Sequence, residues 1–189
     1  MVEDFVALSK VVAVLNELGV SYVLGGSMAS STHGIPRMTH DFDLSVALPP
    51  EKIDAFVALL GDEFYADAES IREAIERGTS ANLIHQLTLD KVDLFTANTP
   101  RERAEHARAI EVELSPSLTV RVASPEDTVL RKLDWYRQGG GVSDRQWYDI
   151  LGVLKVQGAN FDRAYAVEQA IELDLSDLLQ RAFEEAGPD

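Results

Sequence analysis

Thirteen residues separate two short strings, Gly25-Gly26-Ser27 and Asp41-Phe42-Asp43, and this pair constrains the chain more than any other feature. The first string interrupts the β-type run Val20-Ser21-Tyr22-Val23-Leu24 and precedes the small-residue stretch Met28-Ala29-Ser30-Ser31-Thr32. That order reads as strand, tight turn, helix. Glycines let a backbone come close to a phosphate, and the N-terminus of the following helix offers free N–H groups and partial positive charge. The Ser27 hydroxyl adds a donor. The second string opens a strand that runs on to Leu48 and stops at Pro49-Pro50. Side chains at i and i+2 of a strand share a face, so Asp41 and Asp43 point together on either side of an apolar Phe42.

A third acid, Asp93, sits in Lys91-Val92-Asp93-Leu94-Phe95, another strand-like run. If that strand neighbours the first, three carboxylates converge. Two unit charges roughly 4 Å apart repel by about 4 kcal/mol at an effective dielectric of about 20. Such a group must take up protons or hold cations. An all-oxygen donor set with open positions suits Mg²⁺ or Mn²⁺ rather than zinc.

The rest of the chain frames these strings. Phe5, Leu8, Val12, Leu15 and Leu18 have helical spacing, and Gly19 stands at the expected stop. Helices are expected over about 51–60 and 69–77, strands over 82–88, 92–96, 112–114 and 118–122, and a short helix after Thr99. Ser124-Pro125-Glu126-Asp127 is a strong helix start: serine caps, proline suits the first turn, and acids favour the positive end of the dipole. Helices over 125–137, 143–157, 160–172 and 175–186 should follow, with Gly139-Gly140-Gly141 as a break. The expected architecture is α/β (α+β): a small mixed β-sheet flanked by helices over residues 1–123, and a C-terminal helical part over 124–189.

Composition narrows the class. The 189 residues include no cysteine, which removes disulfides, Cys-type zinc sites and thiol nucleophiles. No apolar run reaches the roughly 20 residues of a membrane span, and the acidic N-terminus is unlike a secretory signal, so a cytoplasmic protein without a membrane partner is expected. The net charge of −15 opposes long nucleic acids. Residues 100–155 are the exception, with 9 basic and 9 acidic side chains.

The string Leu24-Gly25-Gly26-Ser27, the thirteen-residue gap, Asp41-Phe42-Asp43-Leu44 and the later Asp93 resemble the nucleotidyltransferases of the DNA polymerase beta superfamily. The fuller set, with His33-Gly34, Arg37, Thr39, Lys132-Leu133, Asp144-Arg145 and Asp149-Ile150, is similar to the small abortive-infection and type IV toxin nucleotidyltransferases. The resemblance spans about residues 11–155. It implies transfer of a nucleoside monophosphate from a nucleoside triphosphate to a hydroxyl, with two Mg²⁺ or Mn²⁺ ions. Asp41, Asp43 and Asp93 would be the metal-binding and catalytic acids; Gly25, Gly26, Ser27, Arg37, Lys132 and Asp149 would bind the nucleotide. The implied acceptor is tRNA or other RNA, a protein or a small hydroxylated molecule, and an antitoxin protein is an implied partner.

Each signal also has an ordinary reading. Asp-Phe-Asp alone is a solvated strand entry, and Gly-Gly-Ser alone a turn. Arg37 reads as a ligand contact or a surface residue, Lys132 as a site lysine or a common helix lysine, and Asp149 as a site acid or a partner of Arg145. His33 and His40 read as structural, while His85 alternates with Leu83 and Leu87 and would share their face. Trp135-Tyr136 and Trp147-Tyr148 read as core or as stacking groups. A non-catalytic nucleotide- or partner-binding module on the same fold is the alternative function, and a metal-dependent phosphate hydrolase a third.

Overall fold

A computed structural model describes residues 5–39 and 41–187. His40 lies outside the described residues. In chain order these form α1 (Val6–Glu17), β1 (Tyr22–Leu24), α2 (Gly26–His33), β2 (Asp41–Val46), α3 (Ile53–Leu60), β3 (Phe64–Tyr65), α4 (Ala68–Arg77), β4 (Ser80–His85), β5 (Lys91–Thr96), α5 (Pro100–Arg108), β6 (Ile110–Ser115), β7 (Leu118–Val122), α6 (Pro125–Gln138), α7 (Asp144–Gln157), α8 (Arg163–Glu172) and α9 (Ser176–Ala186). They group into two compact units. One takes the described residues of Met1–Gly25 and Thr39–Val122; the other takes those of Gly26–Met38 and Ala123–Asp189.

The first unit holds a seven-stranded mixed sheet in the order β3-β4-β5-β2-β1-β7-β6, which is the expected mixed α/β class. β2 runs parallel to β5 and β1 parallel to β7; the other pairs are antiparallel. Strand β2 shows why its sequence alternates. Phe42, Leu44 and Val46 are buried, while Asp41 is exposed and Asp43 and Ser45 are half-buried. Val92 and Leu94 of β5 and Leu83 of β4 are likewise buried. Each such side chain contributes about 1.5–3 kcal/mol relative to exposure.

Helix α5 begins with a capping box between Thr99 and Glu102 and carries His106. The His106 ring bridges Ser21 Oγ at 2.8 Å and Ser45 Oγ at 3.1 Å, while Arg121 donates to its carbonyl at 2.5 Å.

Strand β4 starts two residues before its expected position and ends at His85, so Leu87 is 87% exposed instead of sharing His85's face. The reason is a hydrogen-bonded turn. His85 Nδ1 lies 2.9 Å from Thr88 Oγ1, which donates to Asp90 Oδ2 at 2.6 Å, and Leu89 takes a left-handed φ of 60°. The two-residue β3, absent from the sequence expectation, exists by pairing with β4.

The second unit combines α2 and the following loop with α6, α7, α8 and α9. The Ser124 hydroxyl caps α6 by accepting from Asp127 N at 3.1 Å, with Pro125 in the first turn. Leu130, Leu133, Ile150, Val153, Leu175 and Leu179 belong to a core proper to this unit. Tyr136 and Trp147 are part of it, their rings 5.1 Å apart, whereas Trp135 and Tyr148 are exposed. Trp147 Nε1 donates to Glu185 Oε2 at 2.6 Å, tying α7 to α9. His33 is buried and its Nε2 donates to Ala123 O at 2.7 Å; burial holds the ring below its ordinary pKa in spite of that bond. The sequence boundary near residue 123 takes no account of Gly26–Met38, which the fold groups with the C-terminal helices.

Gly34 lies where that loop meets α7. A Cβ there would stand 2.7 Å from Val153 N, 2.8 Å from Gly152 C and 2.9 Å from Ser30 O, all backbone atoms that cannot swing aside. Gly34→Ala is expected to destabilise the protein by roughly 1–3 kcal/mol, as overpacking does. A lowered urea midpoint would show it, and an unchanged midpoint would contradict the packing described.

Candidate active site

The candidate residues form two groups, one in each unit. In the sheet unit the parallel pairing of β2 and β5 places Asp41 opposite Lys91 and Asp43 opposite Asp93. With a period of two along each strand, all four side chains share one face of the sheet. Gly25 follows β1 beside them, its N–H donating to Asp43 O at 2.8 Å. Gly26 follows with φ of 55°, a conformation that glycine adopts without steric cost.

Lys91 Nζ lies 2.8 Å from Asp93 Oδ2. That hydrogen bond, with the charges of Asp93, Asp41 and Asp43, raises the Lys91 pKa above its ordinary value. Asp93 is only 8% exposed, and its other oxygen, Oδ1, is buried with no hydrogen-bond partner. An orphaned carboxylate oxygen beside two further carboxylates fits an oxygen-seeking cation, and the Lys91 ammonium already stands against this set. Among the described residues, no three acids or histidines are gathered tightly enough to make a ready metal cluster. Asp41 is exposed at the strand's first position, and Lys91 covers half of Asp93. Lys91 was missed as a site residue in the sequence. Its signal was its place two residues before Asp93, which puts both on one face.

In the helical unit the centre is Asp149 on α7, 5% exposed. Arg37 grips it with two parallel bonds, Nε to Oδ1 and Nη2 to Oδ2, both 2.9 Å. Lys132 of α6 donates to Asp149 Oδ2 at 2.8 Å and to Gln146 Oε1 at 3.0 Å. Arg37 also donates to Ser27 Oγ on α2. Asp149 therefore pairs with Arg37 and Lys132, from distant parts of the chain, and the local Arg145 is not needed to explain it. Burial alone would raise the Asp149 pKa. The hydrogen bonds from Arg37 and Lys132 outweigh it and hold the carboxyl below its ordinary value. Two cations share one carboxylate beside the Ser27 hydroxyl, a chemistry suited to phosphate.

Solved nucleotidyltransferases have a similar fold. The antibiotic-resistance factor ANT(2'')-Ia superposes with a TM-score of 0.55 at 15% identity, covering 92% of this chain and 94% of that one. The lincomycin-bound lincosamide antibiotic adenylyltransferase LnuA gives 0.52 at 12% identity, over 81% and 98%. An antigenic nucleotidyltransferase-like protein from Paracoccidioides brasiliensis gives 0.50 at 17% identity, over 90% of each chain. At such identities the likeness is one of fold. Family membership comes from residues 11–187, which match the model described as nucleotidyl transferase AbiEii toxin, type IV TA system. The chain belongs to that nucleotidyltransferase family. No curated protein sequence matches it.

The depressed pKa of Asp149 gives a signed expectation. Its ionised form stabilises the fold above the ordinary carboxyl pKa, and that contribution is lost as the pH falls below about 4. Asp149→Ala should cost about 3 kcal/mol at pH 7, the low end for breaking a buried ion pair because Arg37 can still reach water. Urea unfolding from pH 7 to 3 should also show a shallower acid limb in the variant than in the wild type.

Proposed function

We propose that the protein is a metal-dependent nucleotidyltransferase that moves a nucleoside monophosphate from a nucleoside triphosphate to a hydroxyl acceptor. The single observation that carries this reading is the β2–β5 register, which sets Asp43 opposite Asp93 with Asp41 on the same face. Asp41, Asp43 and Asp93 would hold Mg²⁺ or Mn²⁺. Bound divalent ions would polarise the phosphate oxygens and offset charge on the leaving group.

The chain's own residues take the remaining tasks. The acceptor oxygen attacks the α-phosphorus, the bond to the β-phosphate bridging oxygen breaks, and pyrophosphate leaves. Asp93 receives the hydroxyl proton. Gly26, Ser27, Arg37 and Lys132 bind phosphate oxygens, with Gly25 setting the turn. Asp149 acts by holding the Arg37 and Lys132 head groups in place, so that they need no reorganisation when phosphate arrives.

The acceptor follows from charge and kinship. A chain of net charge −15 opposes a long polyanion, and the neutral segment 100–155 would tolerate at most a short RNA element such as a tRNA end. One solved relative is ANT(2'')-Ia in complex with adenylyl-2''-tobramycin, and another holds lincomycin. A small hydroxylated molecule therefore stands beside tRNA and protein as an acceptor class. The family's toxin description makes an antitoxin protein the proposed partner and a toxin role the proposed setting. Among the described residues no helix is long and apolar enough to cross a membrane.

The test is label transfer. The protein is mixed with Mg²⁺, each α-phosphate-labelled triphosphate in turn, and pooled RNA, cell protein and aminoglycoside-type molecules. Label should enter one fraction and fall by roughly 10²–10³-fold in Asp43→Asn. Metal-dependent triphosphate binding with no label in any fraction would instead indicate the non-catalytic binding module. Free monophosphate alone would indicate a hydrolase.

A further inference from the structure

Resting on the nucleotidyltransferase reading of the sheet face, we propose that Lys91 is its resident counter-ion and competes with divalent metal for Asp93. The pairing of β2 with β5 puts Asp41 opposite Lys91 and Asp43 opposite Asp93, so one ammonium shares a face with three carboxylates. Its Nζ is 2.8 Å from Asp93 Oδ2. The Asp93 side chain is 12% exposed, and its Oδ1 is buried without a partner. Asp93 thus has one oxygen taken by the ammonium and one buried oxygen that no hydrogen bond satisfies. A divalent ion settling on this carboxylate must share it with the ammonium or drive the ammonium off.

Burial shows which of those happens. The Lys91 side chain is 40% exposed. It can swing from Asp93 into water without stranding a charge in the protein. Lys132, whose side chain is 6% exposed, has no such exit and is a fixed part of its group. A monovalent cation on a flexible stem therefore offsets part of the acids' mutual repulsion until a cation of twice the charge replaces it. Lys91 sets the threshold for metal: with it, weakly held free ions leave the face; without it, the face binds metal more tightly and is less stable bare.

The experiment is a Mn²⁺ titration of the full chain, read by the electron paramagnetic resonance of free Mn²⁺, alongside thermal unfolding with and without the ion. Lys91→Met should bind Mn²⁺ about tenfold more tightly or better, given the size of a single nearby charge. Its Tm without metal should fall, and its gain in Tm on adding Mn²⁺ should exceed that of the wild type. Lys91→Gln should behave in the same way, providing a second variant if the first does not fold. Lys91→Arg keeps the charge and should stay near the wild type. Equal or weaker Mn²⁺ binding by the uncharged variants would overturn the role given to Lys91, even with the metal site intact. Asp43→Asn separates the two levels: if Mn²⁺ binding exists but does not depend on Asp43, the acid face is not the metal site and both readings fall. Absence of Mn²⁺ binding from the wild type and from every Lys91 variant has the same consequence.

Discussion

The parallel ladder between β2 and β5 is the constraint on which the sheet face depends. Because side chains alternate with a period of two, a slip of one residue would set Asp43 against Val92 or Leu94 and turn carboxylates toward the core. Apolar burial prevents that slip. Phe42, Leu44 and Val46 on one strand and Val92 and Leu94 on the other are all 4% exposed or less. A backbone bond at the strand end holds the same register, Ala97 N donating to Val46 O at 2.9 Å, while Ala47 N donates to Ser21 O at 2.9 Å and ties β2 to the stretch that leads into β1. The core therefore fixes the positions of acids that contribute nothing to it.

The two polar groups answer one electrostatic problem in opposite senses. Like charges held together by a fold repel strongly unless something of the other sign is built in. On the sheet, three carboxylates have one ammonium among them. In the helical unit, a guanidinium and an ammonium have one carboxylate between them. Among these residues, each group has a majority of one sign. The minority charges differ in permanence, since Lys91 is solvated and Asp149 is buried.

Features decided by neighbouring residues could be read from the sequence. The start of α6 at Ser124-Pro125 depends on capping and dipole chemistry within four residues, and the structure has it there. The alternation in Asp41-Phe42-Asp43-Leu44 gave both the strand and the side its acids face. Features decided by distant partners could not be read. β3 has two residues and exists through its bonds to β4. The end of β4 is set by a turn network centred on His85, so Leu87 leaves the face that alternation assigned to it. Asp149 had an obvious local partner in Arg145, but its bonds go to Arg37, 112 residues earlier, and to Lys132. Lys91 opens the strand-like run that carries Asp93, but its charge matters only once β2 lies beside it. In each case the missing information was which strands and helices become neighbours.

The chain passes between its two units three times, after Gly25, after Met38 and after Val122. This has a consequence during synthesis. Helix α2 leaves the ribosome long before α6 and α7, the helices it packs against, have been made. At about 5–20 residues per second, the delay is on the order of 5–20 s. Through that interval the seven strands can pair, while the short segment that carries Ser27, Gly34 and Arg37 is left looped out from them. The helical unit therefore closes last, and a polypeptide cut at residue 123 would yield a C-terminal piece without its first helix. The phosphate-type group is assembled only when translation is almost complete, so a stalled or truncated chain would carry the sheet's acids without the assembled Arg37, Lys132 and Asp149 group.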